Sequence, residues 1–409
     1  MDTAQPHSER RLSYLVSFHP YLSQSFILRE VRGLRRLGLN VDVISIGPPD
    51  RPIEELSAEE RDEVFLTYYV KATPGSTWLY AHLALLFSAP GRYLRTLVRA
   101  IKLGGLHPVE LLRHLFYFLE AGIVYWRLRQ TGATHVHAHF VSAVGVLVSC
   151  FGPVTLSITI HGPDEFFDAT RYRLAEKVRA AAFVRVISIF TRSQVMRTTG
   201  SWDQSKYAVV RLGVDPDSFR PAGFRLAPEP FTILCVGRLN AGKGQRDLVA
   251  AVDGLRRKGL PVVLRLVGAG PDRAALEELI FRLGLGNVVT LEGGVNQDHI
   301  RAHYERADLF ALPSYAEGLP VVLMEAMSVG IACVSTRIAG IPELIEDGVN
   351  GLLVTPSDVV GLEDALERLV RDPALRQRLA EAGRTRVMQA YDLNTNLIAL
   401  AELFRHRLP

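Results

Sequence analysis

Two glutamates, Glu317 and Glu325, frame the stretch of the chain that is best suited to chemistry. They lie eight residues apart in the segment 311–326, where an apolar strand, a polar loop and an apolar run that we interpret as a buried helix follow one another. A buried carboxylate is costly without a partner. The free N–H groups at a helix start, here presented by the segment 318–320, favour an anion or the hydroxyl-rich edge of a sugar. The alternative is an ordinary capped helix with a surface glutamate at each end.

A second group of chemically suited residues follows the apolar strand Phe231–Val236. Gly237 and further glycines allow a tight turn, and Arg238 and Lys243 place two cations beside the predicted start of a helix near Gln245. Cations at a helix N-terminus form an arrangement that binds a diphosphate. The spacing differs from that of a Walker loop. A plain surface loop with two cations is the alternative interpretation.

Histidines occupy the ends of two predicted strands in the first half of the chain. Strand alternation places His135, His137 and His139 on one face. No fourth ligand at a suitable spacing accompanies them, so we expect no metal site. The strand 154–160 ends at His161, and open α/β sheets place ligand groups at the carboxyl ends of parallel strands. His161 is therefore a candidate site residue, with a histidine that merely caps a loop as the alternative.

The elements that must position these residues alternate between strands and helices along the whole chain. The run 11–46 predicts strand, helix and strand, which indicates a parallel sheet, and the same order restarts in the second half. Residues 48–72 are predicted as a loop with a short acidic helix, and residues 361–389 and 394–407 as helices. The chain of 409 residues is too long for one ordinary core. We therefore predict the α/β fold class, with two parallel-sheet domains joined by the proline-rich linker 216–230.

The composition is that of a globular enzyme in a reducing compartment. Hydrophobic residues make up 48% of the chain, which excludes a disordered protein. The three cysteines, Cys150, Cys235 and Cys333, lie far apart with neither disulfide nor metal spacing, so we expect buried core thiols. We expect no signal peptide, because the first residues are polar. We also expect no transmembrane span, because no window of about 18 uninterrupted apolar residues occurs.

A basic, aromatic-rich region spans residues 71–129. It contains eight lysines and arginines against two acidic residues, together with strongly apolar runs. Such a region suggests contact with an anionic membrane surface. The alternative is a set of core helices with solvated arginine faces. If the membrane interpretation is correct, removing the charges of Arg92, Arg95, Arg99 and Lys102 should release the protein from anionic vesicles.

Taken together, the motifs resemble those of the retaining glycosyltransferases of family 4. In the second half these are V-G-R-L followed by Lys-Gly, then E-G-L-P-V-V-L-M-E-A, G-I-P-E-L-I and D-G-V-N-G-L-L-V. In the first half they are F-H-P-Y-L-S-Q-S-F-I-L-R-E-V, H-A-H-F and H-G-P-D-E-F. The combination is similar to the bacterial exopolysaccharide and colanic-acid-type transferases of that family. The resemblance implies the GT-B architecture, in which two Rossmann-like parallel-sheet domains face each other across a cleft.

The resemblance also implies a division of tasks between the domains. Residues 1–216 would form the N-terminal, acceptor-binding domain, and residues 217–391 the C-terminal domain that binds the nucleotide-sugar donor. The last helix, about 392–409, would pack back on the first domain. No cofactor and no metal are expected, since the UDP- or GDP-linked donor is itself a substrate. We expect no nucleic-acid partner.

Position by position, the resemblance assigns roles to the candidate residues. Arg238 and Lys243 would hold the donor diphosphate, Glu325 would accept hydrogen bonds from the ribose, and Glu317 would contact the transferred sugar. His161 would support the sugar near the reacting centre. The implied catalytic residues are His161, Arg238, Lys243 and Glu317. Further donor-binding residues are Gly237, Gly268 and Gly293, the last two lining the base pocket, and Gly318, Leu319, Pro320 and Glu325. Acceptor-side candidates are Ser23, Gln24, Ser25, His139 and Asp164, with Gln24 standing where relatives usually have an acid.

The implied reaction moves a hexose-type sugar from a nucleotide sugar to a saccharide or a polyprenyl-linked saccharide, without a metal. It retains the anomeric configuration through same-face attack, with the leaving phosphate helping to deprotonate the acceptor. The expected setting is exopolysaccharide or cell-surface biosynthesis by a cytoplasmic protein, peripheral on the inner face of the plasma membrane. The main alternative is a non-catalytic saccharide-binding GT-B protein. An NAD-dependent oxidoreductase is excluded, because the dinucleotide fingerprint that begins at Gly268 lacks its last glycine.

Overall fold

The chain folds into two compact units. This computed structural model describes residues 11–140, 143–221 and 223–408, without the side chains of Asp164 and Gln297. The first unit runs to Ile187 and also contains Thr191–Val210 and the residues from Leu397 on, whereas the second comprises Ser188–Phe190 and Arg211–Asn396. The chain thus passes into the second unit at Val210–Arg211, before the predicted linker begins.

A parallel sheet forms the centre of the first unit. Its strands are β1 (Arg11–Phe18), β2 (Asn40–Gly47), β3 (Thr67–Tyr69), β4 (His135–His139), β5 (Thr155–Ile160), β6 (Phe183–Val186) and β7 (Tyr207–Val209). Its helices are α1 (Ser25–Arg36), α2 (Ala58–Leu66), α3 (Gly75–Ser88), α4 (Pro90–Gly104), α5 (Pro108–Thr131), α6 (Val144–Phe151), α7 (Pro163–Phe167), α8 (Leu174–Ala180) and, from Thr191 on, α9 (Ile189–Thr199). The seven strands lie in the order β3-β2-β1-β4-β5-β6-β7. The order reverses between β1 and β4, and the carboxyl ends of these strands are where such sheets bind ligands.

A second parallel sheet repeats this plan in the second unit. Its strands are β8 (Phe231–Val236), β9 (Val262–Val267), β10 (Val289–Gly293), β11 (Leu309–Leu312), β12 (Ala332–Thr336) and β13 (Leu352–Val354). Its helices are α10 (Gln245–Arg257), α11 (Arg273–Arg282), α12 (Gln297–Glu305), α13 (Val321–Val329), α14 (Ile341–Leu344), α15 (Val359–Arg371), α16 (Pro373–Ala390) and the start of α17 (Leu393–Arg407). The six strands lie in the order β10-β9-β8-β11-β12-β13, with the reversal between β8 and β11. The predicted α/β fold class with two Rossmann-like parallel sheets is confirmed.

The core of the first unit explains why its strands are apolar throughout. Leu15, Ile44, Val136, Leu156 and Val184, from five neighbouring strands, belong to one buried cluster that also includes residues of α3 to α6. Strands covered by helices on both faces become continuous apolar runs, because neither face meets water.

Local details differ from the sequence prediction at two places. Residues 48–72 contain the predicted acidic helix, α2, but also the edge strand β3, which is too short to show an alternating pattern. The stretch 361–389 is divided into α15 and α16 at Asp372, because Pro373 has no N–H to donate and starts a new helix. The predicted linker 216–230 packs on the second unit, where Phe219 is buried.

The end of α17 packs on the first unit. Phe404 is fully buried and makes ring contacts with Tyr14, His137 and Phe183. Nearby, the side chain of Leu397 fills the space beside Gly33 of α1, where a Cβ atom would collide with it. The C-terminal residues therefore complete the hydrophobic layer on one side of the first sheet.

The basic region 71–129 folds into the three packed helices α3, α4 and α5. Each helix buries one side and exposes large apolar side chains on the other. The exposed set, which we call the outer helical face, is Leu79, Leu83, Phe87, Leu94, Val98, Ile101, Val109, Leu112, Phe116 and Leu119. Within the described part of the chain, no helix is long and apolar enough to cross a membrane.

The three cysteines are unpaired thiols. Cys235 and Cys333 are buried in strands β8 and β12, as predicted, and burial raises the pKa of Cys235 to about 12. The prediction is wrong for Cys150, which is only partly buried near the end of α6.

Candidate functional site

The loops that follow β8 and β11 lie side by side where the second sheet reverses its strand order. The N–H of Tyr315 donates to the carbonyl of Gly242 across 2.8 Å. A Cβ atom on Gly244, whose φ is 65°, would collide with the carbonyl oxygen of Pro313, so the close approach requires glycine. The loop with Arg238 and Lys243 and the loop with Glu317 therefore meet at the switch point, where open α/β sheets bind ligands.

Lys243 and Glu317 are in direct contact across these two loops. The Nζ atom of Lys243 lies 2.6 Å from Oε1 of Glu317, and the hydroxyl of Ser314 donates to the same oxygen at 2.7 Å. The side chain of Glu317 is 7% exposed and that of Lys243 is 24% exposed. Two donors reduce the cost of burying the carboxylate. The ammonium group remains within reach of a ligand from solvent.

Arg238 belongs to the same site but points into solvent. Its carbonyl accepts a hydrogen bond from Nε2 of Gln245, at the start of α10, with a length of 3.0 Å. The loop backbone is thereby fixed, while the guanidinium makes no ion pair within the residues that the structure describes. Its planar fork of N–H donors suits the oxygens of a phosphate.

Glu325 lies inside α13 and is 3% exposed. The hydroxyl of Tyr304, a fully buried residue of α12, donates to Oε2 of Glu325 across 2.9 Å. A carboxylate has about four lone-pair positions, and the Tyr304 hydroxyl occupies one of them. The Tyr304 contact holds Glu325 in one orientation.

Gly237, Gly268 and Gly293, which were predicted to bind the donor, form a strip of backbone along the carboxyl ends of β8, β9 and β10. The N–H of Gly237 donates to Val267 at 2.9 Å, and the N–H of Gly268 donates to Gly293 at 2.7 Å. Gly268 has a φ of 150°, and a Cβ atom there would collide with the carbonyl of Gly237. The strip has no side chains, so a flat ligand can approach the main chain closely.

Gly318, Leu319 and Pro320 directly precede α13, with Pro320 as the residue before its first turn. The carbonyl of Gly318 accepts a hydrogen bond of 3.0 Å from the N–H of Gly340. Pro320 provides no side-chain cap, so the N–H groups of the first turn of α13 are suited to an anionic or hydroxyl-bearing ligand.

In the first unit, His161 follows β5 and lies at the sheet edge near the ends of β1 and β4. It is 7% exposed, and its ring stacks on Phe140 with centroids 4.3 Å apart and lies 5.0 Å from Phe26. Its Nε2 atom is 2.9 Å from Nδ1 of His139, the last residue of β4. Burial, with His139 and Arg185 contributing, lowers the pKa of His161 well below its usual range. The imidazole is therefore neutral at pH 7.

The other acceptor-side candidates are spread around the same sheet edge. Ser23 and Gln24 form a short turn after β1, and Ser25 begins α1. Asp164 lies in α7, which begins two residues after His161, but its side chain is outside the described part of the structure. His139 is fully buried, so it can affect a ligand only through the residues next to it.

The histidines of β4 point to one face, as the alternation predicts. Both ring nitrogens of His135 and His137 contact hydroxyl groups of Thr155, Ser157 and Thr159 at 2.6 to 2.7 Å. The ligand atoms of Glu30, His137 and His139 lie within 4.8 Å of one another. Glu30, however, accepts hydrogen bonds from Tyr14 and from the guanidinium of Arg185. A metal ion would compete with that cation, so the geometry is that of a hydrogen-bond network.

Sequence reasoning missed the residues that hold these groups in place. They are Ser314, Tyr304, Glu30 and Arg185. Ser314 lies close to Glu317 in the segment 311–326, and Glu30 lies in the F-I-L-R-E-V motif of α1, so both offered a signal. Tyr304 and Arg185 offered none, because a buried tyrosine or arginine partner is defined only by tertiary packing.

Comparison with known proteins agrees with this geometry. Residues 219–386, which include the whole second sheet and its switch point, match the family described as glycosyl transferases group 1. A GDP-mannose-dependent alpha-(1-6)-phosphatidylinositol monomannoside mannosyltransferase from Mycobacterium tuberculosis is 32% identical over 54% of this chain and 61% of its own length. The putative colanic acid biosynthesis glycosyltransferase WcaL of Escherichia coli is 38% identical over 40% of this chain and 42% of its own. These matches thus span less than two thirds of either relative.

A likeness in fold extends over the whole chain. The crystal structure of HepE from Anabaena in complex with UDP covers 97% of this chain and is itself covered completely, with a TM-score of 0.73 and 19% identity. The chain therefore has the GT-B fold. Its residues 219–386 match the glycosyl transferases group 1 family, and the predicted resemblance of its motifs to glycosyltransferases is confirmed.

Proposed function

We propose that this protein is a retaining glycosyltransferase that moves a hexose-type sugar from a nucleotide sugar to a saccharide or a lipid-linked saccharide. The observation that carries the proposal is the contact between Lys243 and Glu317 at the switch point of the second sheet. There a cation and a buried carboxylate lie next to each other, within the residues that match the glycosyl transferases group 1 family. The resemblance to the colanic acid transferase supports a role in exopolysaccharide or cell-surface biosynthesis.

The donor diphosphate would bind to Arg238 and Lys243. As the bond between the anomeric carbon and the phosphate oxygen breaks, the electron pair leaves with the diphosphate, whose negative charge grows. Preorganised cations and the first turn of α13 would stabilise that charge without solvent reorganisation. We propose that this set replaces a metal ion or cofactor.

The carboxylates would position the donor and would not attack it. Oε1 of Glu317 already accepts hydrogen bonds from Lys243 and Ser314, which lowers its nucleophilicity. Glu317 would accept a hydrogen bond from the sugar, and Glu325, oriented by Tyr304, one from the ribose. The acceptor hydroxyl would then attack the anomeric carbon on the face that the leaving group vacates, and its proton would pass to a leaving phosphate oxygen. This order of events retains the anomeric configuration.

The strip formed by Gly237, Gly268 and Gly293 would receive the nucleotide base. Its bare backbone suits either uracil or guanine. The mannosyltransferase relative uses a GDP-linked donor and HepE has been crystallised with UDP, as their names state. Both bases therefore enter the test below.

The outer helical face supports the proposal that the acceptor is held in a membrane. Its exposed apolar side chains recur at helical spacing, as in Leu79, Leu83 and Phe87 of α3. On α4, Arg95 and Lys102 lie beside the apolar stripe. An apolar stripe with cations along its side is the pattern of a helix that lies in the interface of an anionic membrane. We propose that the first unit binds the inner face of the plasma membrane through this surface.

A cavity at one end of these helices also supports a membrane lipid as the partner. It has a volume of about 240 Å³ and is lined by Arg92 and Arg129, Tyr93 and Tyr125, and the apolar Leu85 and Phe151. Guanidinium groups beside apolar side chains match the junction between a phosphate headgroup and an acyl chain.

The proposed function is tested by measuring nucleotide binding first and transfer second. Thermal unfolding in the presence of UDP, GDP and ADP should give the largest rise in Tm with the matching nucleotide, because a ligand that binds only the folded state stabilises it. Proton NMR of the reaction with the corresponding nucleotide sugar should then show loss of the donor and a product of the same anomeric configuration. Saccharide binding without any donor consumption would instead favour a non-catalytic GT-B protein.

A further inference from the structure

A buried chain of polar groups ends at the imidazole of His161. The hydroxyl of Tyr14 donates to Oε1 of Glu30 at 2.7 Å, and the guanidinium of Arg185 donates to Oε2. Oε1 of Glu30 lies 3.5 Å from Nε2 of His139, whose Nδ1 is 2.9 Å from Nε2 of His161. All five side chains lie in the first unit, and none is more than 7% exposed.

The carboxylate at the inner end of this chain is ionised. Burial alone would raise the pKa of Glu30, but Arg185, His139 and the hydrogen bonds from Tyr14 and Arg185 together lower it. A negative charge therefore faces Nε2 of His139 across 3.5 Å, a separation at which the two groups interact electrostatically without forming a hydrogen bond.

That charge selects the tautomer of His139. A nitrogen lone pair pointing at a carboxylate is repelled, whereas an N–H bond is attracted. His139 therefore carries its proton on Nε2, and its Nδ1 has the lone pair. The contact of 2.9 Å with His161 is then a hydrogen bond only if Nε2 of His161 carries the proton.

The outer nitrogen of His161 is left as an acceptor. Its Nδ1 atom is buried and has no hydrogen-bond partner among the residues that the structure describes. The rings of Phe140 and Phe26, at 4.3 and 5.0 Å, restrict rotation of the imidazole. A buried lone pair of fixed direction calls for a donor from a ligand.

We propose that Glu30 and His139 are positioning residues that hold His161 as the Nε2–H tautomer. Its Nδ1 is then the atom that accepts a hydrogen bond from a hydroxyl group of the transferred sugar, which the family resemblance already places near His161. The assignment of the ligand rests on the proposed function, whereas the tautomer does not. An acceptor atom repels phosphate oxygens, so His161 selects the hydroxyl-bearing part of the substrate. The low pKa of His161 also means that it orients this hydroxyl and does not remove its proton.

The tautomer is measured directly by NMR of the full chain labelled with ¹⁵N-histidine. Two-bond ¹H–¹⁵N correlations at pH 7, assigned with a His161→Gln variant, should show the proton of His161 on Nε2 and an unprotonated Nδ1. A proton on Nδ1 would overturn the proposal. This result needs no catalytic activity, so it stands or falls independently of the proposed function.

The role of Glu30 is tested with Glu30→Gln and a matched control. Glu60→Gln alters another buried glutamate of the same unit, which pairs with Arg51 at 2.7 Å and has no ion pair with a histidine among the described residues. Glu30→Gln should mix the two tautomers of His161, whereas Glu60→Gln should leave the spectrum unchanged. If Glu30→Gln does not fold, the double variant Glu30→Gln/Arg185→Met removes the stranded cation. An unchanged His161 tautomer in a folded Glu30→Gln variant would exclude the role of Glu30.

The ligand is tested by adding UDP, UDP-glucose, GDP and GDP-mannose in separate samples. A hydrogen bond from a sugar hydroxyl should shift the Nδ1 resonance of His161 with a nucleotide sugar and not with the nucleoside diphosphate alone. The same shift with both would assign the contact to the nucleotide and contradict the proposal. No shift with a nucleotide sugar that is turned over would also contradict it.

Discussion

The ammonium group of Lys243 lies 2.6 Å from the carboxylate of Glu317, although 74 positions separate the two residues in sequence. They come from the two loops that flank the switch point of the second sheet. The contact neutralises a buried carboxylate and holds an ammonium group at the place where a diphosphate is expected. It therefore links the fold of the second unit to its proposed chemistry.

Replacing Lys243 by alanine should strongly reduce transfer. The variant loses one of the two cations that face the leaving diphosphate and leaves Glu317 with Ser314 as its donor. We expect kcat/KM to fall by about 10²–10³-fold, as for the loss of one preorganised charge-stabilising group. Lys258→Ala is the matched control, because Lys258 pairs with Glu363 and Glu367 on the outside of the second unit. Transfer by Lys243→Ala at the rate of this control would contradict the assignment.

Replacing Tyr304 by phenylalanine should show how much the orientation of Glu325 matters, because the variant keeps Glu325 and removes the hydroxyl that orients it. The variant keeps the ring and loses a hydroxyl that donates to a buried carboxylate at 2.9 Å. We expect a loss of about 1 kcal/mol in unfolding free energy and a several-fold weaker affinity for the nucleoside diphosphate by calorimetry. In Tyr207→Phe, a buried tyrosine of the first unit loses a hydrogen bond to Ser201. That control should lose stability without losing affinity, and equal affinities in the two variants would argue against a role for Glu325 in binding.

The sequence was sufficient for the fold class and for the two loops, because both depend on local signals. Apolar strands repeat between helices, and glycines with charged residues follow β8 and β11. It was insufficient for the partners of the site residues. The contact of Tyr304 with Glu325 depends on how α12 packs against α13, and that of Glu30 with His139 on how α1 covers the first sheet. The edge strand β3 was missed because three residues are too few to show a period.

Adding one methyl group at Gly268 should damage the strip of backbone beside the base. Gly268→Ala places a Cβ atom against the carbonyl of Gly237 at a φ of 150°. We expect a loss of roughly 1–3 kcal/mol in unfolding free energy and weaker nucleotide binding. Gly286→Ala is the control, because nothing lies within 4 Å of the added atom and its φ is not in the left-handed region. Equal Tm values for the two variants would show that the strip tolerates a side chain.

Removing the cations of α4 should release the protein from anionic vesicles. Changing Arg92, Arg95, Arg99 and Lys102 to glutamine together should weaken binding to phosphatidylglycerol vesicles by roughly 1 kcal/mol per charge, or about three orders of magnitude. Binding of the unaltered protein should also weaken with salt. The control changes Arg256 and Arg257, which lie on α10 of the second unit. Vesicle sedimentation that is the same for both variants would remove the basis for the membrane surface.

Stability should fall as pH falls from about 6.5, because several buried histidines stay neutral in the folded protein. Burial lowers the pKa of His135 and of His19 to about 3 and that of His139 to about 4. The folded pKa is below the unfolded value, so below pH 6.5 the unfolded chain binds protons that the folded chain does not. The free energy of unfolding is therefore lost as pH decreases, by up to about 1.4 kcal/mol per pH unit for each such histidine.

His135→Gln isolates one of these contributions. Glutamine can replace the contacts of His135 with the hydroxyls of Thr155 and Ser157 and has no charge to gain. Urea unfolding at a series of pH values should show a slope shallower than that of the unaltered protein by about 1.4 kcal/mol per pH unit between pH 6 and 4. His299→Gln is the control, because His299 is exposed on α12, and it should leave the slope unchanged. If His135→Gln also left the slope unchanged, the imidazole of His135 would have to be protonated within the fold, and its two hydroxyl contacts would need a different assignment of donors and acceptors.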